Sequence, residues 1–115
     1  MRTSLMLLIL GAAPNAVPEA PVGDYKFGRL LITTDPPGGH MYGEDGKYWG
    51  QATAEKPIEM VWKSWSNGEN PKWTGTFTFK KQGHEPSVER ITIWADQSTE
   101  EEAKRKPQRY AVVLN

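Results

Sequence analysis

The sequence predicts an all-β protein, a small antiparallel β-sandwich or open barrel with one short helical segment near residues 99–106. Three observations indicate this class. Short apolar or alternating runs recur along the chain, Gly- and Pro-rich turns separate them, and no ten-residue amphipathic helix interrupts them. At 115 residues the chain has room for one domain of modest size.

The N-terminus predicts export. Arg2 precedes an apolar run over residues 5–13, which is the pattern of a secretory signal and is too short to cross a bilayer. Residues 9–12 resemble a lipoprotein box, but Ala12 occupies the position of the lipidated Cys, so no lipid anchor is predicted. A buried N-terminal strand or helix is the alternative. We therefore expect a periplasmic, cell-surface or extracellular protein with no transmembrane helix in its mature form.

The predicted domain organisation has three parts. The signal-like segment covers residues 1–13, a proline-rich linker covers residues 14–27, and a β domain covers residues 28–115. The linker holds three prolines and no hydrophobic periodicity, and proline resists helix, so an extended tether is expected.

The first half of the domain is predicted to consist of short strands separated by tight turns. Residues 30–34 form an apolar, β-branched run that the Pro- and Gly-rich residues 35–39 stop. Residues 40–42 and 48–49 predict the two arms of a hairpin, because Asp45-Gly46 between them suits a turn with positive φ. Another strand begins at residue 58.

The clearest periodic signal lies in residues 73–81, where aromatic and polar side chains alternate. Period-two alternation predicts a strand with one buried and one solvated face. Trp73, Phe77 and Phe79 would share the inner face, and Gly75 would leave space between them. Two further strands are predicted at residues 89–94 and 109–114.

Residues 99–106 are the one helical candidate. Ser98 or Thr99 can cap the N-terminus, acids occupy the first turn and bases the last, and Pro107 ends the segment. Glu and Lys or Arg also recur four residues apart, which stabilises an exposed helix. The segment has no apolar face, so it depends on neighbouring structure.

The composition and the motifs argue against binding to nucleic acid or anionic membranes and against most kinds of catalytic site. Fourteen basic and fourteen acidic residues balance, so no bulk field attracts nucleic acid or an anionic membrane, and Cys is absent. No Gly-x-Ser-x-Gly elbow or phosphate-binding glycine loop is present, and His40 and His84 lack a third ligand at a recognisable spacing. No catalytic residue, cofactor or metal site is predicted. A small hydrolase or metal-dependent enzyme is the minority alternative.

Five Trp and four Tyr residues are the remaining signal. In the strand that begins at residue 58, Trp62 and Trp65 point to opposite faces, so one of them is expected to be exposed. Exposed aromatics with polar neighbours can stack on sugars or contact a protein, although hairpin packing is the simpler explanation. If there is a ligand or partner surface, we expect it at Trp49, Trp65 and Trp73.

Two stretches of the chain together resemble the PEGA domain. Residues 33–42 and 45–50 are similar to its strand, Pro-x-Gly turn, second strand and Asp-Gly-Lys hairpin. Residues 77–86 are similar to its strand leading into Gly-Tyr-Glu-Pro, with His84 in place of Tyr. Gly39 stands where the family has Ala. The resemblance covers about residues 28–115, with the last strand at residues 110–114.

The resemblance implies a small β-sandwich-like module of bacterial and archaeal cell envelopes. Such modules occur in surface-layer and other exported proteins and are generally not catalytic. The expected function is therefore a non-catalytic envelope structural or protein-interaction module. A carbohydrate-binding module that uses surface Trp and Tyr is the alternative, and the expected partner is an envelope protein, a polysaccharide or peptidoglycan.

Overall fold

The computed structural model describes residues 23–115. The predicted signal segment, residues 1–13, and the predicted linker up to residue 22 lie outside this part of the chain. Within residues 23–115, no helix is both long enough and apolar enough to cross a membrane.

Seven strands and one short helix account for most of the described chain, which confirms the predicted all-β class. The helix, α1, spans Glu100–Arg105, inside the predicted segment 99–106. The strands are β1 (Asp24–Asp35), β2 (Gly39–Gly43), β3 (Tyr48–Ala52), β4 (Ile58–Ser66), β5 (Lys72–Lys80), β6 (Ser87–Trp94) and β7 (Gln108–Val113).

The strands form two sheets that pack face to face. Sheet A has the order β4-β1-β7, and sheet B has the order β3-β2-β5-β6. Neither sheet closes on itself, so the architecture is a small β-sandwich rather than a barrel.

One strand pair departs from the predicted antiparallel pattern. β1 and β7 run parallel, with Leu30 opposite Gln108 and Asp35 opposite Val113. Parallel neighbours need a long connection between them. β1 and β7 are the first and last strands within residues 23–115, so all the elements between them supply that connection.

β1 begins at Asp24, inside residues 14–27 that the sequence assigned to the linker. Asp24 pairs with Ser66 at the far end of β4, and Phe27 exchanges two backbone hydrogen bonds of 2.8 and 2.9 Å with Gln97. β1 therefore extends beyond its apolar run because β4 on one side and Gln97 on the other form hydrogen bonds with its backbone. Those partners are distant in sequence, so the local pattern could not reveal them.

The core lies between the sheets and is formed by alternate residues of the strands. Phe77 and Phe79 are buried while the threonines between and before them are only half-buried, which confirms the alternation predicted for β5. Each fully buried large apolar side chain stabilises the fold by about 1.5–3 kcal/mol. The other fully buried large side chains are Leu30, Ile32, Met41, Ile91, Ile93 and Val112.

A hydrogen-bonded group between the sheets joins β7 to β6. The Tyr110 hydroxyl donates to Glu89 Oε1 at 2.7 Å, and the Ser87 hydroxyl donates to Glu89 Oε2 at 2.7 Å. The hydrogen bond to Glu89, then burial and the carboxylate charge, raise the pKa of Tyr110 above its usual value of about 10. Because Tyr110 belongs to sheet A and Glu89 to sheet B, the bond ties the two layers.

Thr34 fixes the turn between β1 and β2. Its hydroxyl donates to the Pro36 carbonyl at 3.0 Å and accepts from the Gly39 amide at 3.0 Å. A Cβ atom at Gly39 would lie 2.7 Å from Thr34 Cγ2, inside contact distance. A glycine at this position therefore has a local packing reason.

α1 covers part of the outer face of sheet A. Thr99 caps it by accepting a hydrogen bond from the Glu102 amide at 3.1 Å, one of the two caps that the sequence proposed. Ala103 is buried, and the Arg29 guanidinium on β1 donates to the Lys104 carbonyl at 3.2 Å. α1 is otherwise polar, so the burial of Ala103 and the hydrogen bond from Arg29 of sheet A hold it in place.

Candidate functional site

Trp49 and Trp73 line two adjoining clefts at one edge of the sandwich. The hairpin cleft, about 330 Å³, lies between the β2–β3 hairpin and the first half of β5. The inter-sheet cleft, about 150 Å³, lies where β3 and β5 of sheet B face β4 of sheet A. Both indoles contribute to both clefts, so they form the wall between them.

A β-bulge places Trp49 on the inner side of sheet B. Tyr42 pairs with Tyr48, whereas the preceding Met41 pairs with Gly50, so Trp49 is the extra residue on β3. Tyr48 consequently stays outside and Trp49 turns inward. A Cβ atom at Gly43 would lie 3.1 Å from Trp49 Nε1, so the indole lies close over the end of β2.

The length of β2 leaves Trp73 uncovered. β2 ends at Gly43, opposite Phe77, so no strand of the described part of the chain pairs with the first half of β5 on that side. Trp73 is on the inner face with Phe77, as predicted, yet it remains 40% exposed at this open edge. Its indole lies across Gly75, where a Cβ atom would come within 2.4 Å of Trp73 Cη2. The absent side chain at Gly75 therefore makes room for the ring.

Phe77 holds the two indoles in one aromatic cluster. Its ring meets Trp49 edge to face at 5.5 Å between centroids and Trp73 at 6.0 Å. Phe77 itself is buried in the core. The cluster is therefore anchored on its inner side and open to solvent on the other.

The rim of the hairpin cleft is polar. Glu44, Asp45 and Lys47 lie on the turn between β2 and β3, and Thr76 lies on β5. Asp45 Oδ1 accepts from the Lys47 amide at 3.0 Å, and Lys47 Nζ lies 4.9 Å from the centroid of Trp49. Carboxylates, an ammonium and a hydroxyl thus surround an apolar aromatic wall, the composition typical of small-ligand clefts.

Trp62 is a cleft residue that the sequence did not select. It is half-buried on the inner face of β4 and lines the inter-sheet cleft with Met60 and Ile93. Alternation along residues 58–66 placed Trp62 with Met60, which was the available signal. That signal could not show which residues of sheet B would lie opposite Trp62.

Trp65, the third residue of the predicted surface, does not join the other two. It is 45% exposed on the outer face of β4 and meets Tyr25 edge to face at 5.3 Å. It lines neither of the two clefts. The structure therefore brings together Trp49 and Trp73 and places Trp65 on a different surface.

The titratable groups considered for catalysis are dispersed. His40 Nδ1 lies 2.8 Å from the Tyr48 hydroxyl on the outer face of sheet B, and His84 follows β5 in the next turn. Glu89 is engaged by two hydroxyls inside the sandwich. Across residues 23–115, no three His, Asp or Glu side chains are grouped in a way that could hold a metal ion.

The chain matches no family model, no curated protein and no solved structure. The resemblance to the PEGA domain therefore stays a prediction.

Proposed function

We propose that the protein is a non-catalytic, exported module of the cell envelope that binds a carbohydrate in the hairpin cleft. One observation carries the proposal: Trp49 and Trp73 stand together at an open edge of the sandwich, on a buried Phe77 and inside a polar rim. The signal-like N-terminus and the PEGA resemblance support the location.

The chemistry of the cleft suits a sugar. The face of a sugar ring carries C–H groups that pack on an indole, while its hydroxyls need hydrogen-bonding partners. Asp45 and Glu44 can accept from such hydroxyls, and Lys47 and Thr76 can donate to them. A volume of about 330 Å³ holds a small ligand, within the range of roughly 300–1,000 Å³ for such sites.

The test is isothermal titration calorimetry of the full chain with chitotetraose, a neutral oligosaccharide of N-acetylglucosamine. Trp73→Ala is expected to weaken binding by at least about tenfold, because it removes the stacking surface. Asp45→Asn is expected to weaken binding while it leaves the aromatic wall in place.

Trp65→Ala is the matched control, because Trp65 is exposed to a similar extent but lies outside the cleft. It should leave the affinity unchanged. Equal losses for Trp65→Ala and Trp73→Ala, or no heat of binding with chitotetraose and with soluble peptidoglycan fragments, would reject the cleft as a carbohydrate site.

A protein-interaction role is the second candidate, and the outer face of sheet A favours it. Val61 is 73% exposed there, opposite Arg29 of β1 and on the same face of β4 as Trp65. The simplest partner is a second copy of the chain, because one patch can face itself across a two-fold axis. Sedimentation equilibrium should then detect a dimer that Val61→Glu dissociates. A monomer at every concentration rejects this candidate.

A further inference from the structure

The outer face of sheet B carries a second surface, which we name the threonine face. Alternation defines it: Phe77, Phe79, Ile91 and Ile93 point into the core, so their neighbours on β5 and β6 point outward. β2 and β3 add their outward side chains to the same face. Its members are Lys72, Thr74, Thr76, Thr78 and Lys80 of β5, Val88, Arg90, Thr92 and Trp94 of β6, and His40, Tyr42 and Tyr48.

Charge on the threonine face is of one sign. Lys72, Lys80 and Arg90 are exposed, and the outward positions of the four strands hold no acid. Glu89, next to Arg90 along β6, points inward and is bonded to Ser87 and Tyr110. Glu44 and Asp45 lie on the turn after β2 and line the hairpin cleft at the border of this face. The balanced total of fourteen basic and fourteen acidic residues therefore conceals a local positive surface.

Two of the three cations, Lys72 and Lys80, lie beside aromatic rings rather than carboxylates. Lys72 Nζ lies 5.4 Å from the Trp94 ring centroid, and Lys80 Nζ lies 5.2 Å from that of Tyr42. The ion pair within residues 23–115 is elsewhere, between Arg29 and Glu59. The ammonium groups on the face are thus available to an external anion.

Hydroxyl groups occupy the space between the two cationic ends. Thr74, Thr76 and Thr78 are spaced by about 6.7 Å along β5, and Lys72 and Lys80 stand about 27 Å apart at its ends. Thr74 and Thr92 hydroxyls lie 2.8 Å from each other across the strands. The face therefore presents a row of donors and acceptors flanked by cation–aromatic pairs.

From this charge complementarity we propose that the threonine face docks an extended acidic polysaccharide, with carboxylate or phosphate groups at Lys72, Lys80 and Arg90 and sugar hydroxyls on the threonines. A single-stranded nucleic acid fits less well. It needs aromatic rings along its path for successive bases to stack on. Here the rings stand at the two ends of the face, and threonines fill the middle.

The proposal is distinct from carbohydrate binding in the hairpin cleft, although Thr76 borders both surfaces. The threonine face is on the outer side of sheet B, and binding there depends on charge. The cleft uses the inner-side residues Trp49 and Trp73, and its neutral ligand should be insensitive to salt. Trp73→Ala is therefore expected to leave binding at the threonine face unchanged.

The test is affinity gel electrophoresis of the full chain through gels containing polygalacturonate, with dextran as the neutral polymer. We expect retardation by polygalacturonate alone at about 50 mM salt, weakening by roughly tenfold or more at about 200 mM. Lys72→Gln, Lys80→Gln and Arg90→Gln should each weaken binding by about fivefold. Each should also lower the log–log salt slope by about one.

Arg109→Gln is the matched control for Arg90→Gln. Both residues are exposed arginines on strands, but Arg109 belongs to β7 of sheet A. Retention of full affinity by Arg109→Gln supports the proposal. Equal losses for the two variants, equal retardation by dextran, or no retardation of the wild type overturns it. Tighter binding of oligo(dT) than of polygalacturonate, measured by competition, also overturns it and indicates nucleic acid.

Discussion

The two sheets of the sandwich share one core but differ on their outer faces. The outer face of sheet A is partly covered by α1, and its charges include the Arg29–Glu59 pair. Within residues 23–115, no helix covers the outer face of sheet B, and the charged side chains at its outward strand positions are all positive. Side-chain alternation gives each strand two faces, whereas the rest of the chain determines what covers the outer face.

A substitution in the shared core should lower the free energy of unfolding more than any substitution on an outer face. Phe79→Ala removes a fully buried ring that lies between the two sheets. We expect this substitution to lower the free energy of unfolding by about 3–5 kcal/mol. Thr78→Ala, its neighbour on the outer side, should cost less than about 1 kcal/mol. Urea denaturation followed by circular dichroism and fluorescence measures both. Separate transitions by the two probes would mean that the sheets do not share one cooperative core.

The hydrogen bond from Tyr110 to Glu89, which joins the two sheets, should make an intermediate contribution to stability that depends on pH. Tyr110→Phe removes the hydroxyl that donates to Glu89, and we expect a loss of about 1–3 kcal/mol at neutral pH. The folded state raises the pKa of Tyr110, so the unfolded chain loses this proton first. The stabilisation is therefore complete below about pH 10 and is lost as pH rises through the raised value.

Urea midpoints of the wild type and Tyr110→Phe at about pH 7 and above about pH 10 check this sign. The gap between the two proteins should narrow at the higher pH. A gap that stays constant would show that the hydrogen bond does not couple to ionisation of Tyr110. Ser87→Ala, which removes the other donor to Glu89, should lower stability without adding this alkaline dependence.

Removing the cap of α1 should lower the stability of the fold but leave binding at the threonine face unchanged. Thr99→Ala leaves the Glu102 amide without its acceptor, and we expect a cost of about 1 kcal/mol. Retardation by polygalacturonate should not change, because the helix lies on the other side of the sandwich. Thermal unfolding and affinity electrophoresis of the same variant measure the two effects. A change in retardation would contradict the assignment of binding to sheet B.

The Arg29–Glu59 pair should give the smallest effect. Both side chains are partly exposed, so screening by water limits their coupling to about 0.2–1 kcal/mol. A double-mutant cycle with Arg29→Gln and Glu59→Gln measures the coupling, which should fall as salt rises. A larger, salt-independent value would mean that the outer face of sheet A is more buried than the structure indicates.

The candidate site was only partly predictable. Trp49 and Trp73 were selected because Trp and Tyr are frequent in so short a chain and exposed aromatics with polar neighbours suit a ligand or partner. The two indoles lie together because β3 has a bulge and β2 ends early. The alternation of apolar and polar residues predicts neither feature. Trp65 was selected on the same grounds, yet it lies on the outer face of sheet A.

The amino-acid pattern alone determined the strands, the tight turns and the capped helix. These depend on neighbours a few residues apart, whose φ preferences and alternation the covalent chain sets directly. Tertiary structure decided the parallel pairing of β1 with β7, the Trp49–Trp73 clefts and the collection of Lys72, Lys80 and Arg90 on one face. Those features join residues far apart in sequence, and only the register and order of the strands fix which of them become neighbours.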